Sequence, residues 1–483
     1  MSDPRGFLQI SRRIAPYRPV AERLGDHRDL AGPVPAALAV EQAGRCMGCG
    51  VPFCHSGCPL GNLVPDWNEL VRLGRWREAA DALHATNNFP ELTGKLCPAP
   101  CEEACVLSLN DDPVTIKQIE LAIAERAFAE GWAEPRPADH ASGRRIAVIG
   151  SGPAGLAAAQ QLARAGHAVT VFERDERAGG LLRFGIPDYK LEKSTVDRRL
   201  DQLEREGVRF ELGVEAGIAP NLEQLRAEHD AVLLATGAQR HRDLELPGRE
   251  LGGVALAMDY LTDRNRELAG LPRRGAVTAA GRHVVILGGG DTSADCLGNA
   301  LREGALSVTE VAHGPMPPAS RSPQETWPEW PRLLRDHPVH HEGGERRWGL
   351  ETVRFEGEHG RVAAIAGTSA DGGPPERLPA GLVLLAIGFD GVEAGPLTAA
   401  VRVGPRGTVS VDRRHTTSLS GVFAAGDCVL GADLIVSAIA QGRAAAAAID
   451  GWLQTAAPAL STSRTASRAA RPGPAGGRFA RAS

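Results

Sequence analysis

Residues 145–155 read RIAVIGSGPAG, an apolar run followed by a G-x-G-x-x-G motif. The apolar run predicts a buried strand, and the alanine-rich residues after the motif predict a helix. In such a strand–turn–helix unit, Gly150 permits the tight turn, Gly152 lets the backbone approach a pyrophosphate, and Gly155 allows close helix–strand contact. Glu173 ends a second apolar run, at the position where a carboxylate accepts the ribose hydroxyls. The predicted dinucleotide contacts are Gly150, Gly152, Pro153, Ala154, Gly155 and Glu173.

A second strand–glycine unit lies at residues 283–293, which read HVVILGGGDTS and carry Ser293 in place of the third glycine. Counted from Gly288, the position that corresponds to Glu173 is Val311, which has no carboxylate. A carboxylate there would repel a 2′-phosphate, so its absence favours NADPH over NADH. The basic candidates to hold this phosphate, each otherwise a solvated loop residue, are His313 and Arg321. The predicted contacts of this unit are Gly288, Gly290, Asp291, Thr292 and Ser293.

Two similar segments follow the two nucleotide units, AVLLATG at residues 231–237 and LVLLAIG at residues 382–388. This internal echo predicts two Rossmann-like domains, one inserted into the other. Further on, residues 423–427 read FAAGD and precede a predicted Ala-rich helix over residues 437–453. Flavoprotein reductases hold a flavin ribityl chain with such a segment, although its aspartate can also be an ordinary helix cap. The remaining predicted flavin contacts are Gly180, Leu181, Gly426 and Asp427.

Seven of the nine cysteines lie between residues 46 and 105. The first four form C-x2-C-x4-C-x3-C-P, and the last three form C-x3-C-x3-C. Thiolates at such spacings bind iron–sulfur clusters, and the Cys-Pro ending favours clusters over the alternative of structural zinc. Seven cysteines are one too few for two four-ligand clusters, so another side chain would complete the second. The predicted cysteine ligands are Cys46, Cys49, Cys54, Cys58, Cys97, Cys101 and Cys105, whereas Cys296 and Cys428 are predicted to be packed thiols.

The sequence around the cysteines predicts a small helical domain. Apolar residues recur at three- and four-residue steps in residues 67–83 and 116–128, and a Pro-rich link follows. The arginine-rich, acid-free C-terminal residues predict a disordered tail. The predicted class is α/β, with a helical iron–sulfur domain (1–140), an FAD-binding domain in two parts (141–250 and 381–455), an inserted NADPH-binding domain (251–380) and the tail (456–483).

Length and composition limit the possible functions. A chain of 483 residues suggests about three domains, and its net charge of −5 implies no nucleic-acid partner. The first residues lack an apolar signal core, and no run of about 18 apolar residues could span a bilayer. These features predict a cytoplasmic protein without a membrane partner. In that compartment disulfides are rare, so a cysteine group is better explained by metal binding or catalysis.

The order of the motifs resembles a known family. The cysteine region, GSGPAG, GGLLRFGIPDYKL, ATG, GGGDTSADC and AAGD follow one another as in the small (beta) subunit of glutamate synthase, over residues 35–453. The same residues are similar to the N-terminal part of dihydropyrimidine dehydrogenase. Residues 327–350, which begin WPEWPRLLRD, resemble the glutamate synthase branch in particular. The resemblance implies an oxidoreductase with FAD at the first fingerprint, NADPH at the second and two [4Fe–4S] clusters.

The resemblance also implies ligand sets and a partner. One cluster would be held by Cys46, Cys49, Cys54 and Cys105, and the other by Cys58, Cys97, Cys101 and Glu120, which stands where dihydropyrimidine dehydrogenase has a glutamine. The partner would be the glutamate synthase large subunit, an FMN and iron–sulfur protein that converts glutamine and 2-oxoglutarate into two glutamates. Lys190 is predicted to line the nicotinamide pocket, and no side chain stands out as a general acid or base.

Two other functions stay open on the sequence alone. The same reductase could serve ferredoxin, as an NADPH–ferredoxin oxidoreductase, or be the electron-input subunit of a pyrimidine reductase. A function of another class is a flavin-bound assembly subunit without turnover. The WPEWP segment favours glutamate synthase, and seven positioned cysteines argue against an inert subunit.

Overall fold

The computed structural model describes residues 5–369 and 372–455. The predicted tail at residues 456–483 lies outside these described residues. Within them, no helix has both the length and the apolar character needed to cross a lipid bilayer.

The N-terminal part is helical, as predicted, and the cysteines lie in the loops and short helices of its core. Trp67, Leu83, Ile119 and Ile123 are fully buried there. The helical pattern over residues 67–83 belongs to two helices, because Gly74 adopts φ +73° and ends the first. The helices are α1 (Val20–Leu24), α2 (Ala36–Ala43), α3 (Phe53–Gly57), α4 (Val64–Arg72), α5 (Trp76–Thr86), α6 (Pro90–Leu96), α7 (Pro100–Glu103) and α8 (Ile116–Ala129).

The first sheet has five parallel strands in the order β13-β4-β1-β2-β3. Strands β1 and β4 are buried along nearly their whole length, as expected of a parallel sheet covered by helices on both faces. The strands are β1 (Arg145–Ile149), β2 (Ala168–Glu173), β3 (Arg209–Leu212), β4 (Ala231–Leu234) and β13 (Val422–Ala424). The associated helices are α9 (Pro153–Arg164), α10 (Leu181–Phe184), α11 (Lys193–Arg205), α12 (Leu222–Glu228), α15 (Pro396–Ala399), α16 (Asp427–Leu430) and α17 (Ile435–Thr455).

The second sheet repeats this architecture in the order β5-β12-β6-β7-β8, again all parallel. An antiparallel meander, which the sequence patterns did not predict, packs against it in the order β11-β10-β9. The strands are β5 (Val254–Leu256), β6 (His283–Leu287), β7 (Ser307–Ala312), β8 (Glu345–Trp348), β9 (Leu350–Glu358), β10 (Arg361–Ser369), β11 (Glu376–Pro379) and β12 (Leu382–Leu385). The helices of this domain are α13 (Ala257–Leu268) and α14 (Asp291–Arg302).

The strand β12 corrects one predicted domain boundary. The sequence predicts that the first domain resumes at residue 381. In the structure β12 instead pairs with β5 and β6 in the second sheet. In the same way β4 pairs with β1 in the first sheet. The two echoed segments are therefore equivalent strands of two equivalent domains, and the return comes after β12.

Two short segments connect the inserted second domain to the first. Residues 240–242 and 388–391 run antiparallel, with a bridge between His241 and Phe389. The Arg240 amide donates to the Gly391 carbonyl at 3.0 Å, and the Arg242 amide donates to the Gly388 carbonyl at 3.0 Å. We call this two-stranded connection the neck. The predicted insertion of one Rossmann-like domain into the other is thus confirmed.

A buried ion pair joins the helical domain to the first sheet's domain. Arg199 on α11 donates from Nε to Glu91 Oε1 at 2.8 Å and from Nη2 to Glu91 Oε2 at 2.5 Å. Their side chains are 1% and 0% exposed. Such a two-point contact stabilises both charges where water cannot reach them.

We expect Arg199→Met to destabilise the protein strongly, because it leaves the Glu91 carboxylate buried without its partner. Breaking a buried pair in this way costs about 3–5 kcal/mol in the free energy of unfolding. Chemical denaturation measures the loss. The matched control is Arg205→Met, which removes an exposed pair with Asp201 on the same helix and is expected to cost less than about 1 kcal/mol. Equal effects of the two variants would contradict the prediction.

Candidate cofactor and electron-transfer sites

The first fingerprint loop is shaped by glycines that no other residue could replace. Gly150 has φ +104°, and a Cβ added there would lie 2.4 Å from the Ala235 carbonyl oxygen. A Cβ on Gly155 would lie 2.0 Å from the Gly150 carbonyl oxygen, so α9 touches the loop backbone. Gly152, in contrast, has no heavy atom within 4 Å of its Cβ position. Its open side, at the N-terminus of α9, forms a cradle with room for a pyrophosphate.

Glu173 lies at the end of β2 beside this loop and is buried. Its Oε2 accepts hydrogen bonds from the Ser151 hydroxyl and, at 3.1 Å, from the Ser151 amide. The Ser151 hydroxyl in turn accepts from the Gly179 amide at 2.8 Å. Gly180 follows with φ +51°, and its Cβ position is 3.1 Å from Gly152 Cα. The predicted carboxylate, the fingerprint and the Gly179–Gly180 turn therefore form one fixed unit, from which Leu181 begins α10.

Asp427 is the other candidate flavin contact in this domain. Gly426 precedes it with φ +78°, and a Cβ there would lie 2.6 Å from Ala154 Cβ, so this segment touches the fingerprint helix. Burial raises the pKa of the Asp427 carboxyl to about 7. Its Oδ1 is buried and has no hydrogen-bond partner within the described part of the chain. An unpaired buried oxygen beside the cradle fits a ligand hydroxyl better than the alternative of a helix cap.

We expect this carboxyl to give the flavin-free protein a specific pH dependence. The folded state holds its proton up to pH of about 7, whereas an unfolded aspartate releases it near 3.8. Between these values the folded state binds more protons, so the free energy of unfolding falls as pH rises. Asp427→Asn should remove this contribution and become the more stable protein above neutral pH. Denaturant titrations between pH 4 and pH 8 measure it, and a difference that does not vary with pH would contradict the assignment.

The second fingerprint has the same construction. A Cβ on Gly288 would lie 2.4 Å from the Ala386 carbonyl oxygen, whereas Gly290 has open space at its Cβ position. Asp291 begins α14 and lies 3.3 Å from His337 Nε2, and Thr292 follows it in the first turn. The Ser293 hydroxyl is buried and donates to Glu310 Oε1 at 2.6 Å.

The strand register corrects one predicted equivalence. In the first sheet Ile149 pairs with Phe172, and in the second sheet Leu287 pairs with Val311. The residue that corresponds to Glu173 is therefore Ala312, not Val311, because the second unit is one residue longer. The side chain there is still uncharged, so the argument for a 2′-phosphate is unchanged.

The end of β7 is close to several charged side chains that bear on the binding of a 2′-phosphate. Glu310 turns beneath α14 towards Ser293 and His340 instead of facing the nucleotide side. Of the two predicted phosphate candidates, His313 follows β7 directly, whereas Arg321 donates to the Glu329 carbonyl at 2.8 Å. Sequence reasoning missed Arg332, whose Nη2 lies 3.9 Å from the Cβ position of Gly314. Arg332 is far from this strand in sequence, so no local motif could have indicated it.

Four of the seven clustered cysteines surround one cavity in the helical domain. Burial raises the pKa of the Cys46 thiol to about 11 and that of the Cys54 thiol to about 12. These thiols would be neutral without a cationic partner, which iron would supply. The ring of Trp327 lies 4.5 Å from that of Phe53, which lines this cavity, so the WPEWP segment packs on its wall. The cysteines of this first cavity are Cys46, Cys49, Cys54 and Cys105.

The other three cysteines and Glu120 line a second cavity. Glu120 Oε1 accepts from Asn87 Nδ2 at 2.9 Å and from Thr93 Oγ1 at 2.8 Å, which fixes the carboxyl at the cavity wall. Burial raises its pKa to about 7. The cysteines of this second cavity are Cys58, Cys97 and Cys101.

The donor set suits a polynuclear cluster, because the thiols surround a volume in each cavity. Among residues 5–369 and 372–455, no group of three or more His, Cys, Asp or Glu side chains has the spacing for a single metal ion. Cys296 and Cys428 lie outside both cavities and are fully buried in the two sheet domains, as predicted.

The start of α17 separates the second cavity from the first fingerprint. Val436 lines the cavity, and Ala438, two residues later, packs against Ala154 and Ala235 of the fingerprint region. Less than one helical turn of α17 therefore lies between the predicted cluster site and the predicted flavin site.

Lys190 does not project freely into a pocket. Its Nζ donates to Asp295 Oδ1 at 2.6 Å, across the boundary between the two sheet domains. This partner is a feature that the sequence did not indicate, because the two residues belong to different domains.

Two dinucleotide-binding domains joined to a helical domain with two cysteine-lined cavities define a class, the iron–sulfur flavoprotein reductases that use pyridine nucleotides. Residues 144–442 match the pyridine nucleotide-disulphide oxidoreductase family, and residues 23–132 match dihydropyrimidine dehydrogenase domain II, 4Fe-4S cluster.

Relatives give a narrower assignment. The chain is 53% identical over 470 residues to the glutamate synthase [NADPH] small chain of Mycobacterium tuberculosis. The aligned residues cover 94% of this chain and 96% of the relative. It is 40% identical to the small chain of Bacillus subtilis, covering 94% of this chain and 99% of that one. A solved structure, FprA from M. tuberculosis in complex with NADPH, shares the fold with a TM-score of 0.52 at 21% identity, over 64% of this chain and 85% of that one. The chain belongs to the glutamate synthase small chain family, which confirms the predicted resemblance and the predicted oxidoreductase class with FAD, NADPH and [4Fe–4S] clusters.

Proposed function

We propose that this chain oxidises NADPH and passes the electrons to a glutamate synthase large subunit, which makes two glutamates from glutamine and 2-oxoglutarate. The relatives that it matches over almost their whole length are glutamate synthase small chains. The observation that carries the proposal is the two-residue step in α17 from Val436, which lines the second cysteine cavity, to Ala438, which packs on the first fingerprint. This short separation would place a hydride-accepting site next to a one-electron site.

The first fingerprint would hold FAD. The open side of Gly152 would receive the pyrophosphate, Glu173 would accept the ribose hydroxyls, and the unpaired Asp427 Oδ1 would accept a ribityl hydroxyl. The buried setting of Asp427 would keep this contact free of competing water. The other contacts of the set are Gly150, Pro153, Ala154, Gly155, Gly180, Leu181 and Gly426.

The second fingerprint would hold NADPH on the N-terminus of α14. Gly290 leaves room for the pyrophosphate, and Ala312 leaves the 2′ position without a repelling carboxylate. His313 and Arg332, at the end of β7, would face the phosphate. The other contacts of the set are Gly288, Asp291, Thr292 and Ser293.

The cysteines would hold the two clusters in a defined order. Cys58, Cys97, Cys101 and Glu120 would bind the cluster nearer the flavin, because Val436 separates that cavity from the fingerprint. Cys46, Cys49, Cys54 and Cys105 would bind the cluster nearer the surface, where Val51 is 71% exposed. A flavin takes up two electrons as a hydride and releases them singly to such clusters. The first cavity is therefore where we expect electrons to leave for the partner.

Metal and flavin analysis of anaerobically prepared protein tests this proposal. We expect about eight irons with matching acid-labile sulfide. We expect one FAD per chain, and bleaching of the flavin band by NADPH. Zinc in place of iron would refute the cluster sites, and an unbleached flavin would favour an inert assembly subunit.

The partner is tested separately by co-purification. A large subunit that is captured with the chain and forms glutamate with NADPH would support the proposal. A stable complex with a pyrimidine reductase instead, or electron delivery to ferredoxin alone, would identify one of the other acceptors.

A further inference from the structure

The backbone of the neck does not by itself fix how the two sheet domains are oriented relative to each other. Within the described residues, the chain crosses between the two sheet domains at residues 240–242 and 388–391, which lie side by side as a two-stranded ribbon. A few connecting residues of this kind can absorb large rotations of one domain against the other. The distance between the two nucleotide sites must therefore be set by contacts between side chains.

The central contact lies on the helix that carries the second fingerprint. Lys190, from the first domain, donates from Nζ to Asp295 Oδ1 at 2.6 Å, and the two side chains are 20% and 4% exposed. Asp295 lies one turn along α14 from Asp291, which begins the helix at the fingerprint. The charged pair thus holds the same helix end that would bind the nucleotide.

Tyr189 packs against the same helix, α14, in a close-fitting contact. Its hydroxyl donates to the Asp295 carbonyl oxygen at 2.9 Å. A Cβ on Gly298 would lie 2.4 Å from the Tyr189 hydroxyl oxygen, so only glycine allows this approach. The Tyr189 ring is fully buried. Lys190 and Tyr189 therefore fix both the position and the rotation of α14.

Further contacts lie around this central one. Asn265 on α13 donates from Nδ2 to the Phe184 carbonyl oxygen at 2.9 Å. Arg266 pairs with Glu176 at 2.5 Å, and their side chains are 6% and 38% exposed. These contacts bind α13 to the first domain, whereas Tyr189 and the Lys190–Asp295 pair hold the fingerprint helix itself.

We propose that Lys190 and Asp295 form a positioning pair, which holds α14 where a nicotinamide bound at the second fingerprint reaches the flavin without rotation of the domains. The inference rests on the proposed function. In the step that the pair would serve, NADPH would lose a hydride, which is two electrons and one proton, and become NADP⁺. FAD would gain that hydride and become the anion FADH⁻, so no further proton is needed. In this proposal Lys190 acts through Asp295 and takes no part in the exchange itself.

The test compares Lys190→Met, Asp295→Asn and the double variant with the wild-type holoenzyme. Misplacement of reacting groups by about 1 Å lowers rates by about 100-fold. We expect each single variant to slow flavin reduction by NADPH by about 10- to 100-fold in anaerobic stopped-flow experiments. The dissociation constant of NADPH should change by less than about threefold, because the nucleotide contacts are intact. The absorbance band of NADP⁺ stacked on reduced flavin should weaken in parallel.

The double variant and an exposed control separate positioning from folding. K190M/D295N leaves no unpaired buried charge, so it is expected to fold and to be no slower than the single variants, since the two residues act as one unit. Asp201→Asn makes the same chemical change at a carboxylate that is 64% exposed, and it should leave all measurements unchanged.

Two results would overturn the inference. One is a Lys190→Met enzyme with weakened NADPH binding beside an unaffected Asp295→Asn enzyme, which would make Lys190 a direct nucleotide contact. The other is normal flavin reduction and a normal stacking band in every variant. Failure of NADPH to bleach the wild-type flavin would instead refute the proposed function itself.

Discussion

Replacement of Gly152 by valine is expected to give a folded protein that contains no FAD. No heavy atom lies within 4 Å of the Gly152 Cβ position, so the larger side chain has room in the protein itself. In the proposed function that room would receive the pyrophosphate, which approaches the backbone only where glycine stands. Valine would fill the cradle and exclude the ligand. The change therefore separates binding from folding.

Flavin absorbance and circular dichroism together measure this result. The control is Gly451→Val, at another glycine with open space around its Cβ position, in α17 and away from the fingerprint. It should retain one FAD per chain. Gly155→Ala should behave differently from both, because its Cβ would lie 2.0 Å from the Gly150 carbonyl oxygen and would push α9 off the loop. Stoichiometric FAD in Gly152→Val would place the flavin elsewhere.

Replacement of Cys49 by serine is expected to abolish electron delivery to the partner while NADPH still reduces a dye through the flavin. Cys49 lines the first cavity, which is the one farther from the fingerprint. Serine is a poor ligand for iron, so the outer cluster should be lost. The second cavity shares none of these cysteines and should keep its cluster. Electrons would then reach the cluster in the second cavity and could not pass on to the partner.

Iron analysis, electron paramagnetic resonance and glutamate formation with the large subunit measure the effect. We expect about half of the iron to remain, with the signal of one cluster. Cys296→Ala removes a buried thiol that lies outside both cavities, and it should retain all the iron. Undiminished glutamate formation by Cys49→Ser would refute the order of the two clusters.

Much of the fold can be predicted from the sequence because the deciding signals are local. Each fingerprint combines an apolar run, closely spaced glycines and a helix within a short stretch, so β1, β2, β6 and β7 are predicted within a residue or two. The cysteine spacings also predict a cluster domain. The pairing of Cys105 with the first group of cysteines is different, because it follows from family resemblance and not from spacing.

The remaining features depend on contacts between distant residues. The break at Gly74 needs a positive φ that an amphipathic pattern does not reveal. Ala312 replaces Val311 as the equivalent of Glu173 because strand register, not chain distance, sets the correspondence. Placing β12 in the second sheet requires the echoed segments to be treated as paired strands. The Lys190–Asp295 contact joins two domains and has no signature in either.

The neck has a consequence for how such a protein can be rebuilt. Because residues 242 and 388 are hydrogen-bonded neighbours, the chain enters and leaves the inserted domain at nearly one point. Residues 243–387 can thus be cut out as a cassette and the ends rejoined through a short turn, leaving every strand of the flavin sheet uninterrupted. A cassette from another reductase, grafted at the same point, would change the choice of electron donor, provided that it keeps the contact of Trp327 with Phe53 at the first cysteine cavity.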